Sequence, residues 1–222
     1  VLVHYGGNSA KKSGLLDRVF TSLKENSVDF VSLGGVSPNP RLSLVRQGIE
    51  LCKKENVDFI LALGGGSVID SSKAIGYGIT NDIDVWDIFL KKAEPDNCAP
   101  IGVILTIAAA GSEMSNSAVI TNEETTRKLG YSSEFSRPKF AIMNPELTYT
   151  LPEYQTMCGV VDILMHTFER YFYNEKPGEL IDRMAEGLLI TVMENALKLL
   201  ENPKDYDARA EIMWAGSLSH NG

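Results

Sequence analysis

Cysteine is scarce in this chain and badly spaced for any framework. Cys52, Cys98 and Cys158 are scattered, odd in number and without a CxxC pair. That excludes a zinc ribbon or a disulfide-stapled scaffold and fits a reduced compartment. The sequence also lacks a long apolar run and a signal peptide. No membrane partner is therefore expected, and the cytoplasm is the default location. Positive charge is in deficit, with 21 Lys and Arg against 29 Asp and Glu, a net charge of −8. This balance argues against a nucleic-acid binder or a binder of anionic membranes. No internal repeat or low-complexity segment is evident. An initiating methionine is missing too: Val1-Leu2-Val3 opens directly as a strand, and Ser217 to Gly222 stops just past a helical pattern. A fragment truncated at both ends is expected.

What is present is an ordinary globular composition, 44% hydrophobic and 23% charged over 222 residues. That suffices for one good core or two modest ones. Residues 1–5 form a short apolar run that ends in Gly6-Gly7-Asn8-Ser9, a strand followed by a tight turn. Helical spacing follows over about Leu15 to Glu25, then a strand over Val28 to Leu33 and a loop through Pro38-Asn39-Pro40. Leu42 to Lys54 has helical periodicity. Phe59 to Leu63 is continuously apolar, as expected of a strand buried on both faces. It breaks at Gly64-Gly65-Gly66-Ser67, and helical spacing resumes over Val68 to Tyr77.

These strand–helix alternations predict an open parallel α/β sheet. Asn81 to Ala99 is expected to be irregular, pinned by Trp86 and Phe89. A strand over Ile101 to Ile107, a hairpin between Ala118 and Ser132, and a strand over Phe140 to Met143 complete this part. After Leu151-Pro152 the pattern turns helical, over about 153–173, 178–200 and 205–219, with Pro177-Gly178 and Asn202-Pro203 as punctuation. The expected organisation is an α/β nucleotide-binding domain over 1–150 and the first part of an all-α domain over 151–222.

Two features carry chemistry. Asp162 and His166 stand four residues apart in Gly159-Val160-Val161-Asp162-Ile163-Leu164-Met165-His166, so both project from one helix face. A carboxylate and an imidazole one turn apart can grip a divalent metal. The apolar neighbours Val160, Val161, Leu164, Met165 and Phe168 predict that the pair lies in a largely buried wall. A helix-stabilising hydrogen bond between the two side chains, or a chance placement on the surface, is the plainer reading. Glycine turns at strand ends are the second feature. Without Cβ atoms, backbone N–H groups can approach a phosphate at a helix N-terminus. Gly64-Gly65-Gly66-Ser67 follows the most apolar strand, but it matches neither GxGxxG nor a P-loop. Three successive glycines exceed what a turn needs and favour a phosphate. Near Gly6-Gly7-Asn8-Ser9 no acidic residue is present, and Lys11 and Lys12 follow. That leaves room for a ribose 2′-phosphate, although the lysines equally suit a solvated helix start.

With Gly64 to Lys73, Gly111-Ser112-Glu113 and Gly159-Val160-Val161-Asp162…His166 in this order, the whole chain resembles the iron-containing alcohol dehydrogenases. The likeness leans toward their NADPH-dependent butanol dehydrogenase and aldehyde reductase branch. It extends to Pro38-Asn39-Pro40 and Tyr149-Thr150-Leu151-Pro152. The resemblance implies a dehydroquinate synthase-like fold and an oxidoreductase that moves a hydride between NADPH and an aldehyde or primary alcohol. It implies that Gly64, Gly65, Gly66 and Ser67 receive the pyrophosphate, and that Gly6, Gly7 and Ser9 surround the adenosine ribose. A glycine at position 6, where NAD-preferring members carry aspartate, favours NADPH. Asn39 and Thr106 would line the adenine and ribose side, Ser112 would lie near the phosphates, and Lys128 would reach the nicotinamide ribose. Asp162 and His166 would be two of four ligands to iron or zinc, the other two lying beyond residue 222. The resemblance further implies a homodimer.

Some residues depart from the pattern. Ala108-Ala109-Ala110 replaces a threonine-rich approach to Gly111-Ser112-Glu113. His220 precedes the region where the remaining histidine ligands occur, and His4 suits a packed strand position. Two other readings stand beside the reductase. One is a catalytically incomplete nucleotide-binding fragment, the other a polyol dehydrogenase using NAD and zinc.

Overall fold

The computed structural model describes residues 1–7, 9–173 and 178–221. Asn8 of the first glycine turn, Pro177 of the expected helix break, and Gly222 lie outside them. The described residues divide into two compact units, Val1–Ile104 with Asn116–Ile142, and Leu105–Ser115 with Met143–Gly222.

The first unit is built on a five-stranded sheet in which β1 (Leu2–Tyr5), β2 (Val31–Leu33), β3 (Ile60–Gly64), β4 (Ile101–Leu105) and β7 (Phe140–Ile142) run in the order β2-β1-β3-β4-β7. The registered pairs β1–β2, β1–β3 and β4–β7 are parallel. Every residue of β1, β3 and β4 is buried, whereas the edge strands β2 and β7 are only partly covered. This is why Phe59 to Leu63 carries no polar alternation: a central parallel strand has no wet face. A short helix α1 (Ser9–Lys12) leads into α2 (Leu15–Glu25), which buries Leu15, Leu16 and Val19. Next come α3 (Leu42–Lys54) and α4 (Gly66–Thr80), the latter buried without interruption from Ser71 to Gly78.

Helix α1 has no counterpart in the sequence pattern, because a four-residue helix has too little length to show a period. The strand expected from Val28 begins only at Val31. The stretch from Asn81 is less irregular than expected. It contains α5 (Val85–Phe89), capped by Asp84, whose carboxylate accepts the Trp86 N–H, with Trp86 and Phe89 stacked and buried. The expected hairpin is formed by antiparallel β5 (Ser117–Asn122) and β6 (Arg127–Ser132). It is held to α4 by two side chains: Asp70 accepts the Val119 N–H at 3.0 Å, and the fully buried Lys73 donates to the Ser117 carbonyl at 2.8 Å.

The second unit contains α6 (Glu153–Tyr171), α7 (Glu179–Glu201) and α8 (Tyr206–Asn221). Its core joins Val160 and Ile163 of α6, Val192, Ala196 and Leu199 of α7, and Ala208, Ile212 and Ala215 of α8. Buried Arg209 ties α8 to the start of α6 by donating to the Thr156 hydroxyl, and it also donates to the Pro203 carbonyl of the α7–α8 connection. The loop 105–115, which precedes the hairpin in sequence, belongs to this helical unit. No helix of the described residues is long and apolar enough to cross a membrane.

Candidate cofactor and metal sites

In the first unit the chain leaves β1 toward β2 on one side, and β3 lies on the other. This is a switch point, and in open α/β sheets ligands bind beyond the carboxyl ends of the strands there. Both glycine turns occupy that position: Gly6 and Gly7 follow β1, and Gly64 to Ser67 close β3 and open α4. They are neighbours in space, since a Cβ on Gly6 would meet the Val68 side chain at 3.7 Å. Helix α4 begins without a side-chain cap, and although the Val68 N–H already donates to the Gly65 carbonyl, the Gly66 and Ser67 N–H groups and the helix dipole can serve an anion.

The three glycines do not share one role. Gly64 is buried, and a Cβ there would come within 2.5 Å of Val68. Its lack of a side chain serves the close approach of strand and helix, while Gly65, Gly66 and Ser67 keep partial exposure. Gly7 is exposed, a Cβ there would meet nothing within 4 Å, and Ser9 is exposed on α1. Lys11 is not wholly free to meet a phosphate, because its Nζ lies 5.4 Å over the Tyr5 ring. Hairpin strand β6 brings Lys128 to the Pro38-Asn39-Pro40 loop, where its Nζ donates to Asn39 Oδ1 at 2.8 Å. The hairpin is seated there by the Thr121 N–H, which donates to the Pro40 carbonyl at 2.8 Å.

Within the second unit, Thr106 is half-buried and Ser112 is buried in the loop that follows β4. Gly111 adopts φ +60°, and a Cβ there would lie 2.7 Å from the Gly216 carbonyl oxygen. Glu113 is buried, and its carboxylate accepts the Ser217 hydroxyl of α8. The same loop presses on α6: a Cβ on Gly159 would stand 2.2 Å from the Ala108 carbonyl oxygen. The glycine three residues ahead of Asp162 is thus required by a backbone contact.

Asp162 Oδ1 and His166 Nε2 are 3.7 Å apart. That exceeds hydrogen-bond length, so a direct helix-stabilising bond does not hold the pair. Two ligands about 2.1 Å from one tetrahedral ion lie roughly 3.4 Å apart, so the donor set and its spacing fit two positions of a metal's coordination sphere. Among the described residues no group of three or more His, Cys, Asp and Glu side chains is placed to hold an ion. The expectation of a largely buried wall is corrected. Val161 and Met165 are exposed, and the Asp162 side chain is 45% exposed. The buried stripe of α6 is Thr156, Gly159, Val160, Ile163 and Thr167, a face rotated away from the pair. A cavity of about 310 Å³ between α6, α7 and α8, lined by Thr167, Met184, Leu188, Trp214 and Leu218 among others, includes neither Asp162 nor His166.

Thiol chemistry is unsupported at two of the cysteines, because burial pushes Cys52 up to about 11 and Cys98 up to about 12. His4 is a packed strand histidine. Its Nδ1 pairs with the Leu33 carbonyl and its Nε2 with the Ser71 hydroxyl, each at 2.8 Å.

Residues 1–145 match the family described as iron-containing alcohol dehydrogenase, and residues 156–221 match the C-terminal part of the Fe-containing alcohol dehydrogenase family. The chain belongs to the iron-containing alcohol dehydrogenase family. It is 49% identical to a protein of Bacillus subtilis named probable NADH-dependent butanol dehydrogenase 2, over all of this chain and 57% of that one. It is 40% identical to the NADPH-dependent aldehyde reductase YqhD of Escherichia coli, over all of this chain and 58% of that protein. The crystal structure of NADH-dependent butanol dehydrogenase A from Thermotoga maritima superposes with a TM-score of 0.96 at 44% identity, covering all of this chain and 55% of that one. The chain thus spans little more than half the length of these iron-containing alcohol dehydrogenases.

Sequence reasoning assigns no role to Asp70, Lys73 or Glu113, although each lies in a motif that carries the resemblance. A charged residue within a glycine-flanked apolar motif is the available signal: Lys73 and Glu113 are buried, and buried charges are kept only where they are paired.

Proposed function

We propose that the protein is a metal-dependent oxidoreductase that transfers a hydride reversibly between NADPH and an aldehyde, yielding a primary alcohol. The observation that carries this reading is the pair of glycine turns at the sheet's switch point, together with the Asp162–His166 spacing in a member of this family. Gly65, Gly66 and Ser67 would offer N–H groups to the pyrophosphate at the start of α4, with Gly64 permitting the approach of strand to helix. Gly6, Gly7 and Ser9 would surround the adenosine ribose. Asn39, Thr106 and Ser112 would line the rest of the nucleotide. Lys128 would serve the nicotinamide ribose, which requires its bond to Asn39 to break; its long exposed stem permits that.

Asp162 and His166 would hold two positions of an iron or zinc ion. When bound, the metal supplies Lewis-acid polarisation of the substrate oxygen and the nicotinamide supplies the hydride. The test is NADPH oxidation with butanal by the protein as encoded, with added ferrous or zinc ion. Asp162→Ala should lower the rate roughly a thousandfold or more. Full activity in that variant would sink the metal assignment. Nucleotide binding without turnover would favour a binding module.

NADH is the second reading for the cofactor, favoured by the names of the relatives at 46–49% identity. Gly6 and the absence of an acidic residue beside it support NADPH. A Cβ at Gly6 would make only ordinary contacts, 3.7 Å and longer, so Gly6→Asp is a clean probe. It should reverse the preference if NADPH is the natural cofactor, and leave the kcat/KM ratio unchanged if position 6 does not face the ribose.

A further inference from the structure

We propose that His220 is a positioning residue for the His166 imidazole, acting by ring packing and not as a ligand. This inference rests on the reading of Asp162 and His166 as metal ligands. The two imidazoles meet edge to face, with centroids 4.8 Å apart and planes at 66°. Aromatic rings favour that geometry because a positive edge meets a negative face.

His166 needs such a neighbour. The carboxylates on its own helix stand 3.7 Å from each ring nitrogen, Asp162 on the Nε2 side and Glu169 on the Nδ1 side. Neither distance is a hydrogen bond, so neither fixes the rotation of the ring. An imidazole free to rotate presents its nitrogen to an ion only part of the time, and neighbours that fix a metal-binding ring contribute to affinity for that reason.

His220 is itself held firmly. It lies on the last turn of α8, and that turn is tied to the loop containing Gly111 at two points. Ser217 donates to the buried Glu113 carboxylate, and Asn221 Nδ2 donates to the Gly111 carbonyl at 3.0 Å. Gly111 lets the loop come close, since a Cβ there would already reach the His220 Cβ at 3.0 Å. The buried carboxylate of Glu113 thus has a use: it anchors the helix turn that sets the His166 ring. Ligation by His220 is the competing role, and among the described residues it does not complete a set of three donors.

The test is cobalt(II) binding to the protein as encoded, read as affinity by calorimetry and as the visible absorption of the bound ion, with no turnover required. His220→Ala should weaken cobalt binding about tenfold and alter the band, while His220→Phe, which restores a ring without a nitrogen, should stay within about twofold of the parent. Rescue by phenylalanine would not occur if His220 were a ligand. Equal losses in the two variants overturn ring packing, and so does an unaltered His220→Ala. Asp162→Ala separates the underlying reading: if it binds cobalt as tightly as the parent, the metal site fails and the proposal falls with it. If Asp162→Ala loses the ion while His220→Ala does not, only the proposal falls.

Discussion

The α/β unit and the helical unit treat their apolar residues in opposite ways. In the first, β1, β3 and β4 are buried at every position, and the large exposed apolar side chains include Phe135, Phe140 and Ile142, the last two on edge strand β7. In the second, α7 carries two apolar seams with the same 3-4-3 spacing. Leu189, Val192, Ala196 and Leu199 are buried, whereas Ile190, Met193, Leu197 and Leu200, one position further on, are 45–64% exposed. Seams one position apart lie about 100° apart on a helix, so α7 has the composition of a helix packed on two adjacent faces, and here only one seam is covered among the described residues. The comparison teaches that apolar periodicity reports where a helix can be buried, while burial itself depends on what else is folded against it.

The sharpest way to break this comparison is to truncate both seams. Leu199→Ala should cost about 3 kcal/mol by leaving a cavity, and Leu200→Ala should stay within about 0.5 kcal/mol, both read by urea denaturation. Equal costs would mean that the second seam is covered in solution, and sedimentation would then show an associated chain.

A smaller effect separates the units by pH. Burial, partly offset by the Leu33 carbonyl bond, lowers His4 to about 4 from an ordinary 6.5. The folded state therefore keeps His4 neutral where the unfolded chain takes up a proton. Its stability contribution is complete above pH 6.5, is lost as pH falls toward 4, and levels off below. Between about pH 7 and pH 5 the loss should be about 2 kcal/mol. It should be absent in His4→Gln when the two proteins are compared by denaturation at each pH, and an identical pH dependence would remove the assignment.

Gly159→Ala should destabilise the helical unit by roughly 1–2 kcal/mol, because the Ala108 carbonyl or α6 must shift to admit a methyl group. A thermal melt unchanged from the parent would show that the loop 105–115 gives way easily. The smallest effect belongs to the exposed Glu179–Arg183 pair on α7. Glu179→Gln should change stability by less than about 0.5 kcal/mol, since solvent screens both partners.

Much of the fold was legible along the chain. Leu42–Lys54 appears as a helix at the expected bounds, and Phe59 to Leu63 proved a strand buried on both faces. Both are local patterns, in which one period repeats over enough residues to exceed noise. The candidate sites were legible as residue types at fixed spacing: glycines after strands, and an aspartate and a histidine one turn apart. The reading of α6 as a buried wall failed because its apolar residues occupy most of its circumference, so periodicity alone could not choose the covered face. Contacts across long sequence separations escaped as well, among them Lys128 to Asn39, Glu113 to Ser217 and His166 to His220.

By itself, then, the sequence determined where the longer helices, the central strands and the glycine turns fall, because backbone propensity and side-chain period act over a few residues. Only the tertiary structure decided that Gly159 serves a close backbone contact with Ala108, that loop 105–115 joins the helices, and that His220 meets His166. Each of those depends on two distant segments arriving at one place, and no local pattern encodes that.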